Sequence, residues 1–156
     1  MIFATVGSTA IPFDRFIDAL ESLPAGDLLV QHGPMRAPVT AGRAIPYMQF
    51  PEVIEAMEAA DVVVSHAGAG SILCALRAGH TPIVVPRLKR FEETVDDHQV
   101  EFSRALAADG KVIAVEDLER LPDAVANAPR RLEASRSDAP RPIQLAVREA
   151  LYGAAA

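Results

Sequence analysis

With 156 residues, half of them hydrophobic, the chain has the length and apolar content of one globular domain, which buries about two-thirds of the surface its unfolded form exposes. A net charge of -6 argues against a nucleic-acid-binding surface, which needs clustered Lys and Arg; the single cysteine, Cys74, excludes an internal disulfide and a multi-cysteine metal site, and fits a reducing cytoplasm. No apolar stretch approaches the roughly 20 residues of a membrane span, and Met1-Ile2-Phe3 runs into a strand without a basic leader, so the chain is expected neither to span nor to cross a membrane.

Ile2 to Val6 is a short apolar run ended by Gly7-Ser8-Thr9, which predicts a buried strand delivering a small polar loop where ligands sit in open α/β sheets. Pro12 occupies a helix-opening position, Phe13, Phe16, Ile17 and Leu20 mark one helix face, and Pro24 and Gly26 close it. Leu28-Leu29-Val30 reads as a second strand, Gly33 to Gly42 as a loop, and Arg43 to Phe50 as the stretch holding a third. Pro51 opens a helix with Val53, Ile54 and Met57 inward, and Asp61 leads into the apolar run Val62-Val63-Val64. After Ser65-His66 and the small residues Ala67-Gly68-Ala69-Gly70, helical spacing takes over at Ser71 with Ile72, Leu73 and Leu76: strand, tight loop, helix. Gly79 stops that helix and Thr81 to Val85 is the next strand. Pro86 to Thr94 reads as a charged loop too polar for the core, before a helix over Asp96 to Ala108 with Val100, Phe102, Ala105 and Leu106 available for packing. Val112 to Val115 is a last strand, and Asp117 caps a helix to about Ala128. Residues 129–142 are rich in Arg, Ser, Asp and Pro and predict a linker; in residues 143–156 the stripe Ile143, Val147, Leu151 predicts a terminal helix that docks on its own domain or on a partner. This alternation is that of an α/β, Rossmann-like parallel sheet with helices on both faces and right-handed crossovers.

The turn between Val62 and Ile72 carries the chemistry. Glycines at 68 and 70 let a ligand approach the backbone closely, and the N–H groups opening the following helix at Ser71 are unpaired donors, a seat for a phosphate or diphosphate. The alternative is a βα turn whose glycines serve packing alone; His66 and Ser71 beside them favour the ligand. A Walker-type Gly-Lys-Ser/Thr and a full G-x-G-x-x-G before the first helix are both missing, which counts against ATPases and dehydrogenases.

Three blocks in order, Phe3-Ala4-Thr5-Val6-Gly7-Ser8, Ser65-His66-Ala67-Gly68-Ala69-Gly70-Ser71-Ile72-Leu73, and Asp96-Asp97-His98-Gln99 after Pro86-Arg87, resemble the C-terminal, donor-binding half of glycosyltransferase family 28. The likeness covers about residues 1–128 and is nearest to the small stand-alone subunits of two-part enzymes, those of dolichol-linked N-acetylglucosamine transfer and of bacterial exopolysaccharide and capsule synthesis. It implies a GT-B enzyme split at its cleft. This chain would be a UDP-sugar-dependent inverting hexosyltransferase subunit, with no cofactor and no metal. A membrane-anchored partner would hold the polyprenyl-diphosphate-linked saccharide acceptor and the general base, keeping the chain peripheral at the cytoplasmic face of the membrane. A non-catalytic nucleotide-sugar-binding or activating subunit is the alternative, and nucleic acid is not expected as a partner.

The same resemblance assigns donor contacts to Gly7, Ser8, Ser65, Gly68, Ala69, Gly70 and Ser71, and uracil to Phe50, for which core packing stays equally open. Asp97 and Gln99 match a pair that hydrogen-bonds sugar hydroxyls, against the alternative of an acid-rich helix start. His66, Ser71 and Glu93 are the candidate catalytic residues; His66 is either a base or a scaffold and phosphate contact. Thr94 stands where relatives follow the glutamate with histidine. Cys74 stands where several relatives carry an acid for the ribose, and no activating partner marks it as a nucleophile.

Overall fold

The computed structural model describes residues 1–24 and 27–130. The apolar runs form six strands, β1 (Ile2–Thr5), β2 (Leu28–Gln31), β3 (Arg43–Ile45), β4 (Val62–His66), β5 (Ile83–Val85) and β6 (Ile113–Ala114). Between them lie helices α1 (Asp14–Leu20), α2 (Phe50–Ala59), α3 (Ala69–Arg77), α4 (His98–Ala108) and α5 (Leu121–Asn127), with 3-10 turns at Lys89–Phe91 and Leu118–Arg120. The sheet order is β3-β2-β1-β4-β5-β6, parallel throughout. The chain steps outward from β1 to β3, returns to β4 and continues the other way, so the order reverses between β1 and β4, where Thr5 pairs with Ser65.

Strand alternation supplies both faces. Ala4, Val62, Val64, Ile83 and Val85 pack under Phe13, Phe16, Ile17 and Leu20 of the first helical segment and Leu121 and Val125 of α5. Phe3 and Val63 point the other way, against Met57 of α2 and Cys74 and Ala75 of α3. Val84 meets Ile72 and, at the edge, Leu106 of α4. Burying one such side chain contributes roughly 1.5–3 kcal/mol, so this two-sided core is what holds the loops at the strand ends in place. The Rossmann-like expectation is met.

Several local expectations are corrected. Helix α1 begins at Asp14, two residues past Pro12. The third strand is confined to Arg43–Ile45, and Phe50 opens α2, where Glu52 reaches back to accept the Gln49 N–H at 2.6 Å. Helix α3 begins at Ala69, not Ser71, because Gly68 at β/extended angles already accepts the first helical bond from the Ile72 N–H at 3.0 Å. Leu73 faces solvent at 46% exposure, and Cys74 and Ala75 are buried in its place. In α4, Phe102 and Ala105 are exposed and Ser103 is buried, its hydroxyl donating to the Val100 carbonyl. Asp117 caps the short 3-10 turn at Leu118–Arg120, from which α5 continues. The loop after β5 is not excluded from the interior: Pro86, Arg87, Leu88 and Glu93 are buried, since the Glu93 carboxylate and the Arg87 Nη groups find partners inside. Beyond Arg130, the expected linker and the helix at 143–156 lie outside the described residues. No helix among the described residues is long and apolar enough to cross a membrane.

Candidate functional site

Ligands of open α/β sheets bind beyond the strand carboxyl ends where strand order reverses; here that place lies between the loops after β1 and β4. Thr5 and Gln31 end their strands as buried polar residues and shape the first loop. The Thr5 hydroxyl donates to Gln31 Oε1 at 2.7 Å and accepts the Gly7 N–H at 3.1 Å, while Gln31 Nε2 donates to the Gly7 carbonyl at 3.5 Å. Gly7 is thereby held at φ +83°, a left-handed conformation that glycine adopts without strain.

The imidazole of His66, at the end of β4, lies between two glycines. A Cβ on Gly7 would stand 2.5 Å from its Cε1, and one on Gly68 would stand 2.2 Å from its Nε2. These two glycines therefore answer to packing against His66. Gly70 does not: a Cβ there would meet nothing within 4 Å, and the residue is exposed. Around it, the first turn of α3 has no side-chain cap, so the N–H groups of Ala69, Gly70 and Ser71 precede the first helical bond and sit at the positive end of the helix dipole. Ser65 is fully buried and its hydroxyl donates to the His66 carbonyl at 2.7 Å.

His66 is held uncharged. Its pKa is pushed down to about 4, first by loss of hydration and then by the nearby Arg87 guanidinium, with the Thr5 backbone acting the other way. Nδ1 is buried without a hydrogen-bond partner. An imidazole of this kind meets a ligand as a neutral donor or acceptor.

The loop between β5 and α4 closes the site from the side of α1. Arg15 of α1 grips both oxygens of Glu93, at 2.7 and 2.9 Å, and the Pro86 carbonyl, while Glu93 Oε2 also accepts the Leu88 N–H at 2.9 Å. Arg87 runs beneath, 2% exposed. At the start of α4, Asp97 Oδ1 accepts the Lys89 N–H at 2.9 Å and Gln99 Oε1 accepts the Arg87 N–H at 3.2 Å. Asp97 also borders a cavity of about 310 Å³ lined by Leu88, Arg90, Val100 and Arg104. His98, between the pair, contacts the Asp96 carboxylate.

The structure thus brings Gly7, Ser65, His66, Gly68, Ala69, Gly70 and Ser71 together at the reversal point, with Ser8 exposed on the adjoining loop. Phe50 is the first residue of α2, 44% exposed and so not a core residue. Asp97 and Gln99 are engaged with loop backbone, and the Glu93 carboxylate with Arg15 and Leu88. Cys74 packs between Phe3 and Val63 in the core, and burial pushes its thiol pKa up, which makes it unreactive. The residues that sequence reasoning missed are Thr5, Gln31, Arg15 and Arg87; a polar residue closing an apolar run was the signal for Thr5, Gln31 and Arg87, and nothing local marks Arg15. Among the described residues no group of three or more His, Cys, Asp and Glu is placed to hold a metal ion.

The model of the glycosyltransferase family 28 C-terminal domain matches residues 1–150. Among solved structures, the chain is similar to the glycosyltransferase SnogD from Streptomyces nogalater, at 20% identity and a TM-score of 0.41 over 86% of this chain. The chain spans 42% of that protein. No curated protein matches.

Proposed function

The chain belongs to the glycosyltransferase family 28 C-terminal domain family, and from that premise we propose that it is the donor-binding catalytic subunit of a UDP-sugar-dependent inverting glycosyltransferase. It transfers a hexose or N-acetylhexosamine to a polyprenyl-diphosphate-linked acceptor in exopolysaccharide or capsule synthesis. A membrane-anchored partner holds the acceptor and draws this chain to the cytoplasmic face of the membrane.

The observation that carries the reading is the uncapped first turn of α3 beside a glycine, Gly70, whose missing side chain no packing contact explains. A diphosphate laid there accepts from the N–H groups of Ala69, Gly70 and Ser71, and from the Ser71 hydroxyl. The acceptor oxygen attacks the anomeric carbon from the face opposite the diphosphate as the bond from that carbon to the β-phosphate oxygen breaks. The hydroxyl proton passes to a base on the partner, and UDP leaves with the electron pair. Negative charge grows on the β-phosphate as it departs, which is where α3 points its dipole, so the helix start stabilises the transition state more than the ground state. His66, uncharged and fixed, serves as a phosphate contact rather than the base: a group titrating near 4 is a weak proton acceptor at neutral pH. Glu93 holds the loop through Arg15. Gln99 keeps its amide N–H donors for a sugar hydroxyl while its carbonyl oxygen fixes the loop, and Phe50 offers an exposed ring to the uracil. The helix dipole neutralises the diphosphate without a metal ion.

The test is turnover in the reconstituted two-part enzyme. Ser71→Ala and Gln99→Ala are expected to lower kcat by tenfold or more with assembly intact; unchanged kcat in both would assign the chemistry to the partner alone.

A further inference from the structure

The burial of Arg87 has no explanation in core packing. Its guanidinium is 2% exposed, yet no carboxylate lies within ion-pair distance of it among the described residues, because Glu93 turns both oxygens to Arg15. Carbonyl groups surround it instead. Nη1 donates to Ile11 and Pro12 at 3.0 Å and to Glu93 at 3.3 Å, Nη2 donates to Val6 at 3.3 Å, and the plane lies 4.4 Å from the Phe13 ring centroid. Nε is buried with no partner. Three of the four carbonyls belong to the loop after β1, which carries Gly7; the fourth belongs to the loop after β5, whose Arg87 N–H is held by Gln99. Burying a cation costs several kcal/mol unless an opposite charge answers it. Carbonyl dipoles, and the Glu93 carboxylate that is bound to Arg15, answer it only in part.

We infer that Arg87 is a positioning residue for the diphosphate site: its guanidinium clamps the Gly7 loop to the loop after β5 and sets a buried positive charge close to His66. This rests on the donor reading of the same crevice. A planar fork reaches carbonyls of two loops at once, which a lysine ammonium does not. The charge also draws an anion toward the crevice and repels a proton from the imidazole. The charged groups that act on His66 are Arg87 itself and, through Arg87, Arg15 and Glu93.

The experiment pairs Arg87→Met with Arg87→Lys in the full chain. The His66 ring is followed by NMR over pH, assigned through His66→Asn, and UDP and inorganic pyrophosphate are titrated by calorimetry. Arg87→Met is expected to raise the His66 titration by about one pH unit or more from its value near 4. Arg87→Lys keeps that titration low, and both variants bind UDP and pyrophosphate about tenfold more weakly or worse. An unmoved His66 titration in folded Arg87→Met, or wild-type affinity in Arg87→Lys, overturns the inference. If Arg87→Met does not fold, the Arg87→Lys pair of readings decides alone. Wild-type protein that binds neither ligand, alone or with its co-purified partner, refutes the donor reading instead, and the NMR comparison still judges the effect of Arg87 on His66.

Discussion

Replacing Gly70 with alanine separates a packing glycine from a ligand glycine. Gly70 is the second residue of α3, in ordinary helical conformation, and a Cβ there has no neighbour within 4 Å. The substitution therefore creates no clash and removes backbone freedom from the unfolded chain, which stabilises by about 0.4–1 kcal/mol. For a domain of this size the melting temperature should rise by roughly 1–4 °C. Where a phosphate approaches the backbone at Gly70, the added methyl group keeps it off, and loss of one charge-assisted contact of about 1.5–3 kcal/mol weakens UDP binding roughly 10–100-fold. Thermal unfolding and calorimetry on one preparation give both numbers. A variant that melts higher and binds UDP as well as the wild type would refute the assignment of Gly70 to the ligand, and one that melts lower would refute the helix geometry itself. Gly68→Ala is the control with opposite sign: its Cβ falls 2.2 Å from His66 Nε2, so stability drops along with binding.

Because the folded pKa of His66 lies near 4, below the unfolded value of about 6.5, the unfolded chain binds more protons in between. Its contribution, at most about 3 kcal/mol, is complete above about pH 6.5 and lost as pH falls through 4; urea midpoints should show that slope, and His66→Asn should flatten it. Glu93→Gln leaves Arg15 without its buried counter-charge and should cost toward the lower end of roughly 3–5 kcal/mol, read as a shifted urea midpoint, with Arg15→Met in the same chain recovering part of the loss. Arg36→Ala, which breaks exposed pairs to Asp18 and Glu21, should leave that midpoint unmoved. Adding a chelator should not change UDP affinity, and a fall in affinity would point to a metal ion in the donor site.

The strands and the first helix were legible because burial there follows a period: Phe13, Phe16, Ile17 and Leu20 recur at helical spacing and are all buried. Helix α4 was misread at Phe102 and Ala105 because alanines blur its apolar face and a buried Ser103 satisfies its hydroxyl within the helix. The turn at Gly68 to Ser71 announced itself by composition, but composition does not separate a glycine that makes room for His66 from one that makes room for a ligand. Arg87 and Glu93 read as solvent-facing because a charge near a loop usually is. What buries them is a pairing between Arg15 and Glu93, 78 residues apart, and carbonyls brought near by the crossing of two loops, neither of which leaves a local pattern.

Donor binding in the crevice at the start of α3 is the claim on which the proposed function rests. The direct measurement is a calorimetric titration of the chain, alone and with its co-purified partner, with UDP, UDP-glucose, UDP-N-acetylglucosamine, ADP and GDP in metal-free buffer. Uridine nucleotides are expected to bind, at least tenfold more tightly than ADP or GDP, with Gly70→Ala weakening the binding of all of them. Equal affinity for all three bases, or no binding even with the partner present, would contradict it.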